Sequence, residues 1–357
     1  MVKRNQHEFR KRDLLATGGL WLISLILPDP HLPYKRELIK KRDFFFLAVL
    51  LLSPVLWPGS LFLMGLAGIY AIVALGLSLF LGYAGQISLG HAAFFGIGAY
   101  TFAILTTRTG VPSIAAFGMA GVAATVAAYL IGKPILKLKG YFLALATLGF
   151  GEIFLVSVRE ARDLTGGVSG ISGVPWFTVA GFAFDTPLKQ YCLIWGVLIC
   201  LILFAKNLVR SKVGRALLAV AASEDAAASV GINVPRIKLG VFVISALFAG
   251  LAGSLFAGIM STASPDAFGL NLSVLIVMMV IMGGMGTLYG PIVAAVFLTW
   301  LTDTLGAYQE YSLPIFGVVL ILLLIFFPDG VGTRLNSRLI YLISYWGRKR
   351  RRERVDT

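Results

Sequence analysis

From Asp43 onward the chain alternates apolar runs with short polar connections, and the runs set its architecture. They fall at approximately 44–58, 60–82, 86–106, 112–132, 141–159, 188–205, 239–262, 272–285, 287–304 and 312–327. A helix needs about 20 residues to cross the hydrocarbon of a bilayer, with about 17 as the lower limit. The runs 44–58, 272–285 and 287–304 sit at or below that limit and are read as tilted, re-entrant or extended at their ends. The pattern predicts an all-α, polytopic transmembrane helical bundle of about eight to ten spans with broken helices. A basic segment, 1–43, precedes it, and a basic tail, 331–357, follows.

Composition agrees: 58% of the residues are hydrophobic and only 13% charged. Lys and Arg exceed Asp and Glu by 14. Most of the cations flank apolar runs, so the anionic cytoplasmic face of a membrane explains them better than a nucleic acid does. If residues 1–43 are cytoplasmic and the spans alternate, the cytoplasmic segments 1–43, 133–139, 206–238 and 334–354 hold 27 of the 31 cations. Arg108, Arg159, Arg162 and Lys189 are left outside. This asymmetry predicts that both termini are cytoplasmic. The apolar stretch Leu14–Leu27 lacks a small-residue cleavage site and is followed by Lys35-Arg36 and Lys40-Lys41-Arg42, so a short interfacial helix is expected there and a cleaved signal is the alternative. Cys192 and Cys200 share one apolar run, which offers neither a disulfide framework nor a zinc site.

Two places interrupt the runs. Residues 82–91 place Gly82, Gly85 and Gly90 with Gln86, Ser88 and His91 between two apolar stretches. About two hundred residues later, Gly283-Gly284-Met-Gly286-Thr287-Leu-Tyr289-Gly290-Pro291 repeats the device. Paired Gly/Pro interruptions in the two halves of a membrane protein point to a solute path, since a broken helix frees amide and carbonyl groups that only a cavity or packed protein can satisfy. Gly82, Gly85, Gln86, Ser88, Gly90, His91, Gly283, Gly286 and Thr287 are therefore candidate path residues. Close helix packing through small residues uses glycine in the same way and stays open. His91 and Glu152 are ionisable residues inside apolar runs. Each is a path contact or, as the plainer reading, a buried hydrogen bond holding one helix to another.

The longest polar connection, 206–238, contains a short helix. Ser223 is its N-cap, Glu224 and Asp225 lie in the dipole-favoured first turn, Ala226 and Ala227 propagate it, and Gly231 supplies a left-handed end before Pro235. Two turns are too few to be stable alone, so the rest of the chain or a partner must hold this helix.

Five stretches together resemble one family. They are Gly82-Tyr-Ala-Gly-Gln-Ile-Ser-Leu-Gly-His-Ala-Ala-Phe-Phe-Gly-Ile-Gly-Ala-Tyr100, the segment from Leu138 through Lys139-Gly140-Tyr141 to Gly151-Glu152-Ile153, Leu164-Thr-Gly-Gly-Val-Ser-Gly-Ile-Ser-Gly-Val-Pro175, Ser223 to Asn233, and Gly283 to Pro291. The sequence is similar to the membrane permease subunits of ATP-binding-cassette importers for branched-chain amino acids, and the likeness covers 44–330. In such permeases a loop carrying Glu-Ala-Ala, three residues and Gly docks on the ATPase. Here Asp225-Ala226-Ala227 and Gly231 match that spacing with Asp in place of Glu, and Ile237-Lys-Leu239 comes early and without a following Pro.

The resemblance implies that Ser223, Glu224, Asp225, Ala226, Ala227 and Gly231 form the coupling element within 206–238. It also implies two ATPase subunits, a related second permease, an external substrate-binding protein and a bacterial cytoplasmic (inner) membrane location. No cofactor is expected in this chain, ATP and Mg being bound by the partner ATPases. A phosphate loop is indeed missing, since Gly132-Lys133 is followed by Pro134. Permeases for urea and short-chain amides are closely similar, and an ion-coupled secondary transporter is the alternative of a different class. Gly167-Val-Ser169-Gly170 and Gly170-Ile-Ser172-Gly173 suggest an intramembrane serine protease, but such an enzyme needs a histidine from a later span and His91 comes earlier. An outer gate or a landing surface for the binding protein is the more ordinary role for this Gly/Ser loop.

Overall fold

A computed structural model describes residues 60–179 and 181–306. The expected interfacial helix at Leu14–Leu27, the runs 44–58 and 312–327 and the basic tail lie outside the described residues. Apart from single turns at Arg162–Thr165, Gly167–Ser169 and Pro265–Phe268, the helices are α1 (Leu61–Leu77), continued by a π-helical segment (Ser78–Tyr83), α2 (His91–Arg108), α3 (Ser113–Ile135), α4 (Tyr141–Glu160), α5 (Pro187–Arg210), α6 (Lys212–Ala222), α7 (Glu224–Ser229), α8 (Val234–Met260), α9 (Leu270–Gly283) and α10 (Gly290–Gly306).

Each apolar run expected between 60 and 306 is a helix. Among the described residues six helical stretches are long and apolar enough to cross a membrane: Leu61–Tyr83, Ser113–Ile135, Tyr141–Glu160, Pro187–Arg210, Val234–Met260 and Pro265–Gly283. The protein is a multi-pass membrane protein with an all-α bundle. Two of the runs behind the eight to ten crossings expected, 44–58 and 312–327, lie outside the described residues, and within them α10 is short and α2 more polar than those six. α2 begins with His91, ends with Thr106-Thr107-Arg108 and carries two glycines. Its place explains that composition, for α2 is packed on α8 and α3 and touches protein along most of its length.

Side-chain size decides which face points inward when every residue is apolar. In α3 the stripe Ala116, Ala120, Ala124 and Ala128 is buried, whereas Met119, Val122, Val126 and Leu130 are exposed. Small residues let backbones approach, and α8 uses this against both neighbours. A methyl group at Gly250 would meet the Ala124 Cβ at 2.5 Å, one at Gly98 would strike the Gly250 carbonyl, and one at Gly253 would strike the Phe95 carbonyl.

At one end of the bundle, four short strands close the connections. β1 (Ile171–Ser172) pairs antiparallel with β4 (Thr262–Ala263), and β2 (Thr178–Val179) with β3 (Phe182–Ala183). The Gly/Ser loop is thus tied onto the turn after α8. Arg108 donates to the Asp163 carbonyl, and Arg159 pairs with Asp266 at 3.0 Å at the same end. α6 and α7 lie at the opposite end.

Candidate functional site

Three segments far apart in sequence converge at the α7 end. The first is the break between α1 and α2. The π-helical segment unwinds after Tyr83, Gly85 takes φ +66°, and the Gln86 amide closes the turn on the Phe80 carbonyl at 3.2 Å. The second is the break between α9 and α10, where Gly284 and Gly286 have φ +99° and +78°. Thr287 Oγ1 donates to the Gly284 carbonyl at 2.8 Å and rivets that turn. The two breaks touch: a Cβ at Gly82 would stand 2.5 Å from the Gly286 nitrogen. Gly283 and Gly290 are likewise packed face to face. Close packing, one of the two readings left open, is thus present at 82, 283 and 290, and positive φ marks the breaks at 85, 284 and 286.

The amide groups freed at the start of α2 are satisfied inside the chain. The Leu89 amide donates to Thr147 Oγ1 of α4 at 3.0 Å, the Gly90 amide to Ser88 Oγ at 3.4 Å, and the Ala92 amide to Ser273 Oγ of α9 at 3.3 Å. Gly90 is pressed against the Thr147 carbonyl. His91 is fully enclosed, with Nδ1 2.9 Å from Ser88 Oγ and Nε2 2.6 Å from Ser245 Oγ of α8. The rings of Phe80, Phe94 and Phe242 surround it. The plainer reading of His91 describes this environment: a hydrogen-bonded pin between the break and α8. Both of its nitrogens are taken by Ser88 and Ser245 at the start of α2, an 18-residue helix whose other end meets the Gly/Ser loop, so His91 pairs with neither Ser169 nor Ser172.

The third segment is α7. Ser223 Oγ accepts from the Ala226 amide at 3.3 Å, as an N-cap should, and Gly231 has φ +85° after the last turn. Ala227 is buried against Val220 and Val234, which supplies the packing that two helical turns need. Glu224 supplies more. Its Oε1 accepts from Gln86 Nε2 at 3.2 Å and forms an ion pair with Lys238 Nζ of α8. The side chain of Lys238 is 3% exposed and that of Glu224 22%. Gly85 rests on Ala221 of α6. One carboxylate therefore joins α7, the break between α1 and α2, and the first turn of α8. Among the described residues the outward face of α7 is uncovered, with Asp225, Ala226, Ala228 and Ser229 exposed and Val230 74% exposed beyond it. Asp225 is 3.9 Å from Lys139, an exposed pair of small energetic weight.

Glu152 is not part of this convergence. It lies near the middle of α4 on the outside of the bundle, with no hydrogen bond or ion pair among the described residues. Among the described residues it makes no helix-to-helix hydrogen bond, the plainer reading of this residue. Lys238, Thr147, Ser245 and Ser273 were not singled out in the sequence. The one available signal was Lys238, a cation set one turn inside an apolar helix after Pro235.

Comparison with known proteins completes the picture. Residues 60–328 match the family model described as "Branched-chain amino acid transport system / permease component". The chain is 36% identical to the high-affinity branched-chain amino acid transport system permease protein LivM of Salmonella typhimurium, over 82% of this chain and 75% of that protein. It is 35% identical to LivM of Escherichia coli over the same shares. A second permease protein of that name, LivH of Salmonella typhimurium, is 26% identical over 74% of this chain and 92% of its own length. No solved structure gives a significant match.

Proposed function

The chain belongs to the branched-chain amino acid transport system permease family, whose members are transport components rather than enzymes, and from that premise we propose how its parts serve an ATP-driven importer. α7 is the element on which an ATPase subunit docks, through Asp225, Ala226, Ala228 and Val230. ATP and Mg are bound in two such subunits. The solute passes between this chain and a related second permease, after delivery by an external binding protein. That LivM and LivH are distinct permease proteins supports a paired arrangement. The names of those relatives support branched-chain amino acids as the solute.

The observation that carries this reading is the triple junction at Glu224. Displacement of α7 pulls on Gln86 and Lys238 together, hence on the break at Gly85 and on α8. Because Gly82 and Gly286 are in contact, the break between α9 and α10 moves with them. Gly82, Gly85, Gln86, Ser88, Gly90, Gly283, Gly286 and Thr287 act as the moving joint at the inner end of the path, with His91 and Ser245 as its fixed pin. Interfaces packed this closely switch between discrete arrangements rather than bend continuously.

The cation asymmetry supports a cytoplasmic position for the α7 end and for both termini in a bacterial inner membrane. Residues 44–330 then form the permease domain, between the basic segment 1–43 and the tail 331–357. Affinity purification of the tagged chain in mild detergent tests the assembly. Co-recovery of ATPase subunits and a second permease is expected; a chain that purifies alone and still moves solute in liposomes is a secondary transporter or channel.

A further inference from the structure

α4 presents an uncovered stripe in which one residue is out of place. Phe142, Leu145, Gly149, Glu152 and Val156 recur at spacings of three and four and share a helical face. Phe142 is 71% and Leu145 62% exposed, and none of the described residues lies within 4 Å of a Cβ placed at Gly149. Glu152 stands about 17 Å along the helix from Tyr141 and about 12 Å from Glu160, hence near the middle of the bilayer. A carboxylate at that depth with no partner among the described residues does not face hydrocarbon; it faces protein, water or a solute.

We propose that Glu152 is the solute-contacting residue of the path, its carboxylate pairing with the ammonium group of the passing solute. This rests on the reading that the path runs between two permeases. The charges fit: a branched-chain amino acid is a zwitterion whose ammonium loses water halfway across, and a fixed carboxylate replaces part of that hydration. The open space at Gly149 lies one turn before the carboxylate, and Leu145, Ile153 and Val156 offer apolar surface to an aliphatic side chain. The class selected is small ammonium-bearing solutes. Urea and simple amides, being neutral, gain nothing from the contact.

The test uses the complete importer, with ATPases, second permease and binding protein, in proteoliposomes. Glu152→Gln is expected to lower the maximal rate of leucine uptake about tenfold, the loss of one charge-assisted contact, with KM unchanged because the binding protein sets it. Co-purification of the subunits should be unaffected. In a background with the exposed Cys192 and Cys200 replaced by Ser, Glu152→Cys should react with water-soluble methanethiosulfonates. A sulfonate-bearing reagent should restore uptake, and a trimethylammonium-bearing one should not.

Wild-type uptake by Glu152→Gln, a thiol that does not react, or equal effects of the two reagents each overturn the proposal. So does loss of the second permease on Glu152→Gln, which makes the residue a subunit contact. If uptake by the unmodified importer does not need ATP, the importer reading fails, while thiol labelling and the two reagents still decide the role of Glu152.

Discussion

Removing either half of the Glu224–Lys238 pair should not cost the same. Glu224→Gln leaves an ammonium 3% exposed with no counter-ion, and an unpaired charge buried that deeply costs about 3–5 kcal/mol. Lys238→Met leaves a carboxylate that is 22% exposed, reaches water, keeps the Gln86 amide and sits in the first turn of α7. Its loss should be smaller, about 1–2 kcal/mol. The double replacement removes both charges and should fall within about 1 kcal/mol of wild type, because a buried ion pair and an apolar substitute of similar volume are nearly equivalent in stability. The assay is unfolding in mixed micelles of increasing denaturing detergent, followed by tryptophan fluorescence, for the wild type, both single variants and the double variant.

The same four proteins, assembled with their ATPases, should separate stability from function. The double variant regains its fold but not the junction, so it should hydrolyse ATP with little uptake. If Glu224→Gln proves no more destabilising than Lys238→Met, the burial argument is wrong. A double variant that transports normally refutes the junction as the route of coupling.

Further consequences follow from other contacts. Gly231→Val forces a β-branched residue into φ +85° with open space around it, so the penalty is backbone strain alone, about 1–2 kcal/mol. ATP hydrolysis should uncouple from uptake, and Gly231→Asn should retain coupling because asparagine tolerates that conformation. Gly253→Leu drives a side chain into the Phe95 carbonyl at the α2–α8 crossing and should abolish a monodisperse peak in size-exclusion chromatography. Ser245→Ala removes one partner of His91 and should cost about 1–3 kcal/mol of stability in the same micelle assay. Ser169→Ala and Ser172→Ala should leave uptake at the wild-type rate, since both nitrogens of His91 are engaged by Ser88 and Ser245.

The apolar runs located the long helices between residues 60 and 306, because bilayer thickness constrains run length independently of tertiary contacts, whereas α6, inside the polar connection 206–238, was not foreseen. The ends of α7 were equally legible: a cap at Ser223 and a left-handed residue at Gly231 are local choices of backbone and side chain. What stayed hidden depends on contacts between distant segments. Gln86 and Glu224 are 138 residues apart, and no periodicity links them or relates Lys238 to either. His91 and Glu152 look alike in sequence, each a lone ionisable group in an apolar run. The difference arises from hydroxyls, Ser88 and Ser245, that are unremarkable by composition and become partners only when α2 and α8 cross. α2 itself reads as a weak span because protein surrounds it, so it has no need of the hydropathy that lipid contact demands.

The central claim is that motion of α7, driven by ATP in partner subunits, opens a path for an amino acid through this chain and a second permease. Its most direct test is uptake of radiolabelled leucine and urea by the purified complex in proteoliposomes, with binding protein outside the vesicles and ATP within. Leucine should accumulate only with hydrolysable ATP and binding protein, and urea should not accumulate. Leucine entering at the same rate without ATP, or driven by an ion gradient alone, contradicts the account.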